Sequence, residues 1–368
     1  MKVFCFGVGK AGGAIADALR AYEETLQADF LVDAVACDIA TANFDHLAHI
    51  PTANQLRFGA ATIDGGEATD ATQIADLAEA NHRQLVRGTD GAPVSKADAF
   101  LVCAGLGGNT SGGAAPVLAK HLQRIYQQPV YGVGALPATQ AGPQQAHTAV
   151  QALRRFVSVT DHVLAFDNET WLSDSTGVDT CDSSNAHLAQ RLGTLFAAGE
   201  VYSDSVGESV VDASEIINTL HGGGVATLGY ASSELPEEKD DSGWFGLKRF
   251  FGSSQSSDID PIESQERITT QTHEALLGRL TLPCDVQSAS RGLVVVGGPP
   301  EWLNRDAIEQ SRAWVEEQTD SRAIRGGDYP QPDSSQVEVL TLLGGVSPAK
   351  RLEDLRSVAE DDNTEANT

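Results

Sequence analysis

No run of about 18 apolar residues occurs anywhere in the chain, so no segment suits a helix that crosses a bilayer. The beginning lacks the basic-then-apolar pattern of a signal peptide and runs straight into a strand-like stretch, which makes a cytoplasmic location the expectation. Cysteine is scarce. Cys5, Cys37, Cys103, Cys181 and Cys284 are scattered, form no C-x-x-C pair, and several lie in apolar runs. Buried free thiols are expected, not disulfides, and no metal site is read. Positive charge is scarcer still. There are 25 Lys+Arg against 51 Asp+Glu, a net charge of −26, and only seven of the cations are lysines. That balance argues against nucleic acid as a general partner. Its spread along the whole chain fits a very salty cytoplasm, where screening over a few Å removes most self-repulsion. The P-loop pattern G-x-x-x-x-G-K-[ST] is missing too, which excludes a P-loop NTPase.

What is present is a hydrophobic share of 41% over 368 residues, enough for two domains with proper cores. The first half alternates. Strands are expected at 2–8, 31–38, 97–108, 129–137 and 161–168, and helices at 11–21, 70–86, 113–126 and 146–156. Strands that are nearly all apolar, separated by amphipathic helices, imply a parallel sheet covered on both faces. A cap-rich start and the stripe Leu188, Leu192, Leu195 and Phe196 predict one long helix over 181–200. Residues 210–232 read as loop, helix and strand, and 233–260 as a long surface loop. A second domain resumes with helices near 262–279 and 304–318 and strands at 291–298 and 336–345. From 351 the chain is acidic and polar, expected to end in disorder.

The chemistry lies in glycine. In GVGKAGG (7–13), Gly7, Gly9 and Gly12 fit the dinucleotide fingerprint between a strand and a helix. Such a turn lets backbone N–H groups approach a phosphate, and the helix N-terminus adds about half a positive charge. Asp38, ending the second strand, is placed to hold a ribose hydroxyl, which would suit an NAD(P) oxidoreductase. A second loop, CAGLGGNTSGG (103–113), is longer than a packing turn needs. Its N–H groups and hydroxyls suit a phosphate chain, and a nicotinamide enzyme has no use for it there. Two such loops point to a nucleotide whose phosphates cross the sheet edge.

At these residues the chain resembles the tubulin/FtsZ superfamily, most closely its haloarchaeal CetZ branch. GGNTSGG (107–113) occupies the place of the tubulin signature, roughly G-G-G-T-G-[ST]-G, and GVGKAGG that of the first phosphate loop. The segments 211–232 and 297–330 look like the parts of CetZ that follow the central helix and form the second domain. The resemblance covers residues 1–350 in order. It implies a tubulin/FtsZ-like α/β fold: a parallel-sheet GTP-binding domain over 1–180, a central helix over 181–200, a smaller α+β activation domain over 201–350, and an acidic tail over 351–368.

By the same resemblance, GTP or GDP, with Mg²⁺ as a candidate companion, is held by Gly9, Lys10, Ala11 and Gly12 of the first loop. Gly107, Gly108, Asn109, Thr110, Ser111 and Gly112 of the second would join them, with Gly65 and Gly66 in a loose match to the γ-phosphate loop. Asn168 and Asn185 take the places of the two guanine readers, an amide carrying both donor and acceptor for a purine edge. Asp212 and Glu215 match the acids that complete hydrolysis on the neighbouring subunit of a filament; from spacing alone they serve equally as first-turn acids complementing a helix dipole. Self-association and a role in cell shape follow from the resemblance. The departures are Lys10, where glutamine is usual, and Asn109 and Ser111, which replace glycines and would need unusual backbone angles if the loop keeps its shape. The next loop, 136–145, lacks the usual Glu and Arg, with Ala141 and Gln145 or Gln144 in their places. These departures support a second reading, a paralogue that holds GTP but assembles or hydrolyses it poorly.

Overall fold

The computed structural model describes residues 1–26, 28–59, 70–172, 181–200, 211–236 and 260–365. Its first part alternates: β1 (Val3–Val8), α1 (Gly9–Glu23), β2 (Leu31–Asp38), β3 (Gln55–Arg57), α2 (Ala71–Ala80), α3 (His82–Val86), β4 (Ala99–Gly105), α4 (Asn109–Ile125), β5 (Val130–Leu136), α5 (Pro143–Val159), β6 (His162–Asp167) and the short α6 (Asn168–Leu172). Then come α7 (Cys181–Ala198), α8 (Ala213–Thr219), β7 (Val225–Glu234), α9 (Pro261–Leu277), β8 (Arg291–Gly298), α10 (Arg305–Thr319), β9 (Ile324–Pro330), β10 (Gln336–Gly344) and α11 (Ala349–Glu365).

All ten strands join one sheet in the order β3-β2-β1-β4-β5-β6-β7-β10-β8-β9. From β3 to β7 every pairing is parallel; β10 lies antiparallel to both β7 and β8, and β9 is parallel to β8. The two parts of the chain thus share a sheet, joined where Val163 and Leu164 of β6 pair with Val225 and Ala226 of β7.

Strand periodicity sorts the core into two layers. Phe4, Phe6 and Val8 pack on one face with α4 and α5 residues such as Leu118 and Phe156. Val3 and Cys5 point the other way, toward Leu19 of α1 and Leu192, Leu195 and Phe196 of α7. Each such side chain contributes roughly 1.5–3 kcal/mol by leaving water. Cys5, Cys37 and Cys103 are buried free thiols, as expected, whereas Cys284 is free but only half-buried.

Three expectations change. Helices α1 and α4 begin at Gly9 and Asn109, directly behind their strands, so the second glycine loop is a tight turn and not a long one. Strand β9 went unread because IRGGDYP is rich in glycine and ends in proline, which an edge strand tolerates. The stretch from 351, read as a tail, is helical through Glu365. Its many acids hide an apolar stripe in which Leu355 and Ala359 are buried and Leu352 is partly so. Residues 366–368 and 237–259, the latter most of the expected surface loop, lie outside the described residues.

Candidate functional site

Parallel pairing brings the C-terminal ends of β1, β4, β5 and β6 to one sheet edge. The glycines behind β1 and β4 interlock there. A Cβ on Gly12 would stand 2.2 Å from the Cys103 carbonyl oxygen, and one on Gly105 2.6 Å from Cβ of Ala11. Gly9 takes φ +72°, open to glycine and strained for other residues, and faces Ser111, whose Cβ would lie 3.0 Å from a Cβ added there. A Cβ on Gly107 would meet the Pro137 ring at 3.2 Å, which brings in the turn behind β5. The two loops singled out by sequence are therefore one continuous structure.

The N-termini of α1, α4 and α5 open at this edge, and none has a side-chain cap or an acid in its first turn. By contrast α2, α8, α9 and α10 are capped by Asp70, Asp212, Asp260 and Asn304, although the five-residue α3 also lacks a side-chain cap and a first-turn acid. In a chain with net charge −26, three neighbouring helix starts without acids of their own form a place where an anion meets positive helix ends, and the nearby carboxylates of Asp167 and Glu169 are engaged by Arg351 and by the Thr139 N–H. The residues present fit a nucleotide's phosphates on that ground.

Within the edge, Lys10 and Ala11 are exposed and Gly9, Gly12, Gly107 and Gly112 are buried, while Gly108 is exposed and Asn109 and Thr110 are half-buried. Ser111 donates its hydroxyl to the Gly105 carbonyl, so that donor is turned back onto the loop. Asn109 and Ser111 sit in α4 with no positive φ, and Asp320 is the one non-glycine among the described residues that has one. The expected strain at these two departures is absent because the helix starts early enough to include them. Gly65 and Gly66 lie outside the described residues.

Asn168 opens α6 and Asn185 lies on α7, both half-buried. The two helices meet through Trp171 and His187, whose rings are 5.2 Å apart. Asp38 does not offer itself to a ribose. It is buried, with Oδ1 accepting from the Ala40 N–H (2.9 Å) and Oδ2 from Asn43 Nδ2 (3.0 Å).

Asp212 and Glu215 are elsewhere. Helix α7 starts beside α6 and ends where the Phe196 carbonyl accepts from the Met1 ammonium at 2.7 Å, at the opposite, N-terminal edge of the parallel strands. Its 18 residues span about 27 Å. Helix α8 stays on that far edge, the carbonyl of Leu220, the residue that follows it, lying 3.0 Å from Nδ1 of His162 at the start of β6. Asp212 caps α8, accepting from the Ser214 hydroxyl and the Glu215 N–H. Those bonds, the hydroxyl's first, hold its carboxyl below the usual range. Glu215 pairs with Arg325 of β9 at 2.6 Å. Arg325 and the buried Arg351 of α11 were not found from sequence, since a single arginine without a motif leaves no spacing signal.

Two family descriptions match the chain: the GTPase domain of the tubulin/FtsZ family over residues 2–176, and the C-terminal domain of tubulin-like CetZ over residues 176–361. Tubulin-like protein CetZ5 of Haloferax volcanii is 57% identical over 98% of this chain and 91% of its own length. CetZ1 of that organism, solved as a GDP-bound monomer, superposes with a TM-score of 0.85 at 39% identity, covering 99% of this chain and 100% of the other. CetZ2, solved as a GTPγS-bound protofilament, gives 0.84 at 33% identity over all of both chains.

Proposed function

This chain belongs to the tubulin/FtsZ family, in its CetZ branch, and on that footing we propose that it is a GTP-binding cytoskeletal protein that assembles head to tail and hydrolyses GTP between subunits. The observation that carries the proposal is the separation of the two half-sites. Uncapped helix starts and glycine turns lie at one edge of the sheet, and Asp212 and Glu215 at the other, a helix length away. No subunit can bring its own acids to its own nucleotide. A second subunit stacked on the first can, and the contact repeats without closing, which gives a filament. The GTPγS-bound protofilament of CetZ2 supports this arrangement.

Each residue has a stated task. The N–H groups of the α1 and α4 turns, with Lys10 beside them, bind the phosphates. Asn168 and Asn185 bond the guanine edge, where a wrong base leaves polar groups unpaired. The neighbour's Asp212 and Glu215 orient water for attack on the γ-phosphorus and take up its proton. A role in cell shape, in the cytoplasm, fits the family. The test is sedimentation and phosphate release in concentrated salt: GTP should drive assembly, and turnover per subunit should rise with protein concentration. GTP binding with no assembly or turnover at any concentration would leave the paralogue reading instead.

A further inference from the structure

The C-terminal helix is tied to the nucleotide edge by one buried cation. Arg351, in the first turn of α11, has a side chain only 7% exposed. Its Nε donates to Oδ1 of Asp167 at 2.8 Å, and its Nη2 to the Pro137 carbonyl at 2.6 Å. Asp167 ends β6 and immediately precedes Asn168, and Pro137 opens the turn from β5 into α5. The chain of bonds continues. Asp167 also accepts from the Glu169 N–H at 3.3 Å and the Thr170 hydroxyl at 3.0 Å, and Glu169 accepts from the Thr139 N–H at 2.5 Å. Thr139 lies two residues beyond Pro137, so the bonds close a ring around the β5 and β6 ends. Pro137 in turn abuts Gly107 of the second glycine turn.

Two physical arguments make this more than a fastener. The apolar stripe of α11 already docks the helix, and a buried ion pair adds little stability over apolar residues of the same size. Its distinctive effect is to fix geometry, since the planar guanidinium holds both partners at once. In concentrated salt, where the Debye length is a few Å, exposed pairs are screened and a buried one keeps its strength.

We propose that Arg351 is a positioning residue for the base-facing wall of the nucleotide site, and that through it guanine-nucleotide binding and the docking of α11 are coupled. The proposal rests on the reading of Asn168 and the β5–α5 turn as nucleotide-facing. Coupling is reciprocal: a nucleotide that orders this ring tightens α11, and a loosened α11 weakens the nucleotide.

The experiment uses the full chain in concentrated salt. Hydrogen exchange with and without GDP should show α11 protected by GDP in the unaltered protein. Arg351→Lys keeps the charge but cannot span both partners. It should weaken GTP and GDP alike by roughly 5- to 150-fold, remove the GDP-dependent protection of α11, and leave protection at α1 intact once GDP is saturating. KM should rise while turnover at saturating GTP stays near normal. A merely structural Arg351 would lower the melting temperature and leave α11 indifferent to nucleotide. GDP-bound unaltered protein with unchanged exchange in α11 would overturn the proposal without any variant, as would wild-type affinity in Arg351→Lys. If the unaltered protein takes up no guanine nucleotide, the functional reading falls and this inference with it.

Discussion

Nη1 of Arg325 lies 2.6 Å from Oε2 of Glu215, across the space between β9 and the first turn of α8. The pair joins the acid assigned to the neighbour's nucleotide to a strand of the second part of the chain. Both side chains are partly open, Arg325 45% and Glu215 34% exposed, so the carboxylate is steered and not sequestered. Arg325→Ala should change stability by less than about 1 kcal/mol. GTP affinity should stay the same, and turnover in sedimented filaments should fall a few-fold, because an unsteered carboxylate orients water less often. Unchanged turnover in fully assembled Arg325→Ala would show that the pair has no part in the reaction.

On the proposed reading, base selectivity depends on Asn168 and Asn185, which lie on the adjoining helices α6 and α7. Asn168→Ala and Asn185→Ala should each weaken GTP by about 1–3 kcal/mol, the cost of leaving a polar group on the base unpaired, with little effect on weak ATP binding. Competition titrations in concentrated salt give the ratio directly. Equal affinities for GTP and ATP in the unaltered protein would remove both assignments.

Lys10 is exposed in the first turn of α1, among helix starts that carry no acid. Lys10→Gln should weaken GTP more than GDP, since the γ-phosphate brings the extra charge. Stability should barely change. Equal losses for the two nucleotides would place Lys10 away from the terminal phosphate.

Glu338 gives a prediction about pH. It is buried on β10, accepting from the Tyr230 hydroxyl at 2.6 Å and from the Gln331 amide. Burial raises its carboxyl above the ordinary range, against a smaller lowering by those two donors. A carboxyl raised on folding holds its proton better folded than unfolded, so stability falls as pH climbs from the ordinary carboxylate range to the raised value. Glu338→Gln removes the charge; its amide oxygen can go on accepting from Gln331, while its NH2 must donate to the Tyr230 oxygen, reversing that bond. It should stabilise the protein at neutral pH, with the gain vanishing in acid below the ordinary range. A variant less stable than the parent at neutral pH would show that the carboxylate form is the one the fold prefers.

Much of this was legible because the parallel strands are buried on both faces and glycine marks the turns that follow them. The sequence pattern led to β1, β4, β5, β6 and the long α7 within a few residues. What escaped had a physical cause in each case. Strand β9 carries glycines and a proline that only an edge position allows. Helix α11 hides two buried apolar side chains, Leu355 and Ala359, among acids. Asp38 resembles a ribose ligand until its two oxygens prove to be engaged by Ala40 and Asn43, which no spacing rule reveals. The strain expected at Asn109 and Ser111 came from assuming a loop where the chain is already helical.

The claim that hydrolysis is shared between subunits is tested most directly by mixing two inactive proteins. Glu215→Ala should hold GTP and fail to turn it over. The Asn168→Ala/Asn185→Ala double variant should hold none, yet present intact Asp212 and Glu215. Phosphate release is measured for each alone and for an equal mixture confirmed to co-sediment. Random copolymers place a GTP-loaded Glu215→Ala subunit against an intact acidic face at roughly a quarter of contacts, so about a quarter of wild-type turnover is expected. A co-sedimenting mixture as inactive as its components, or Glu215→Ala turning over GTP at the wild-type rate alone, would contradict it.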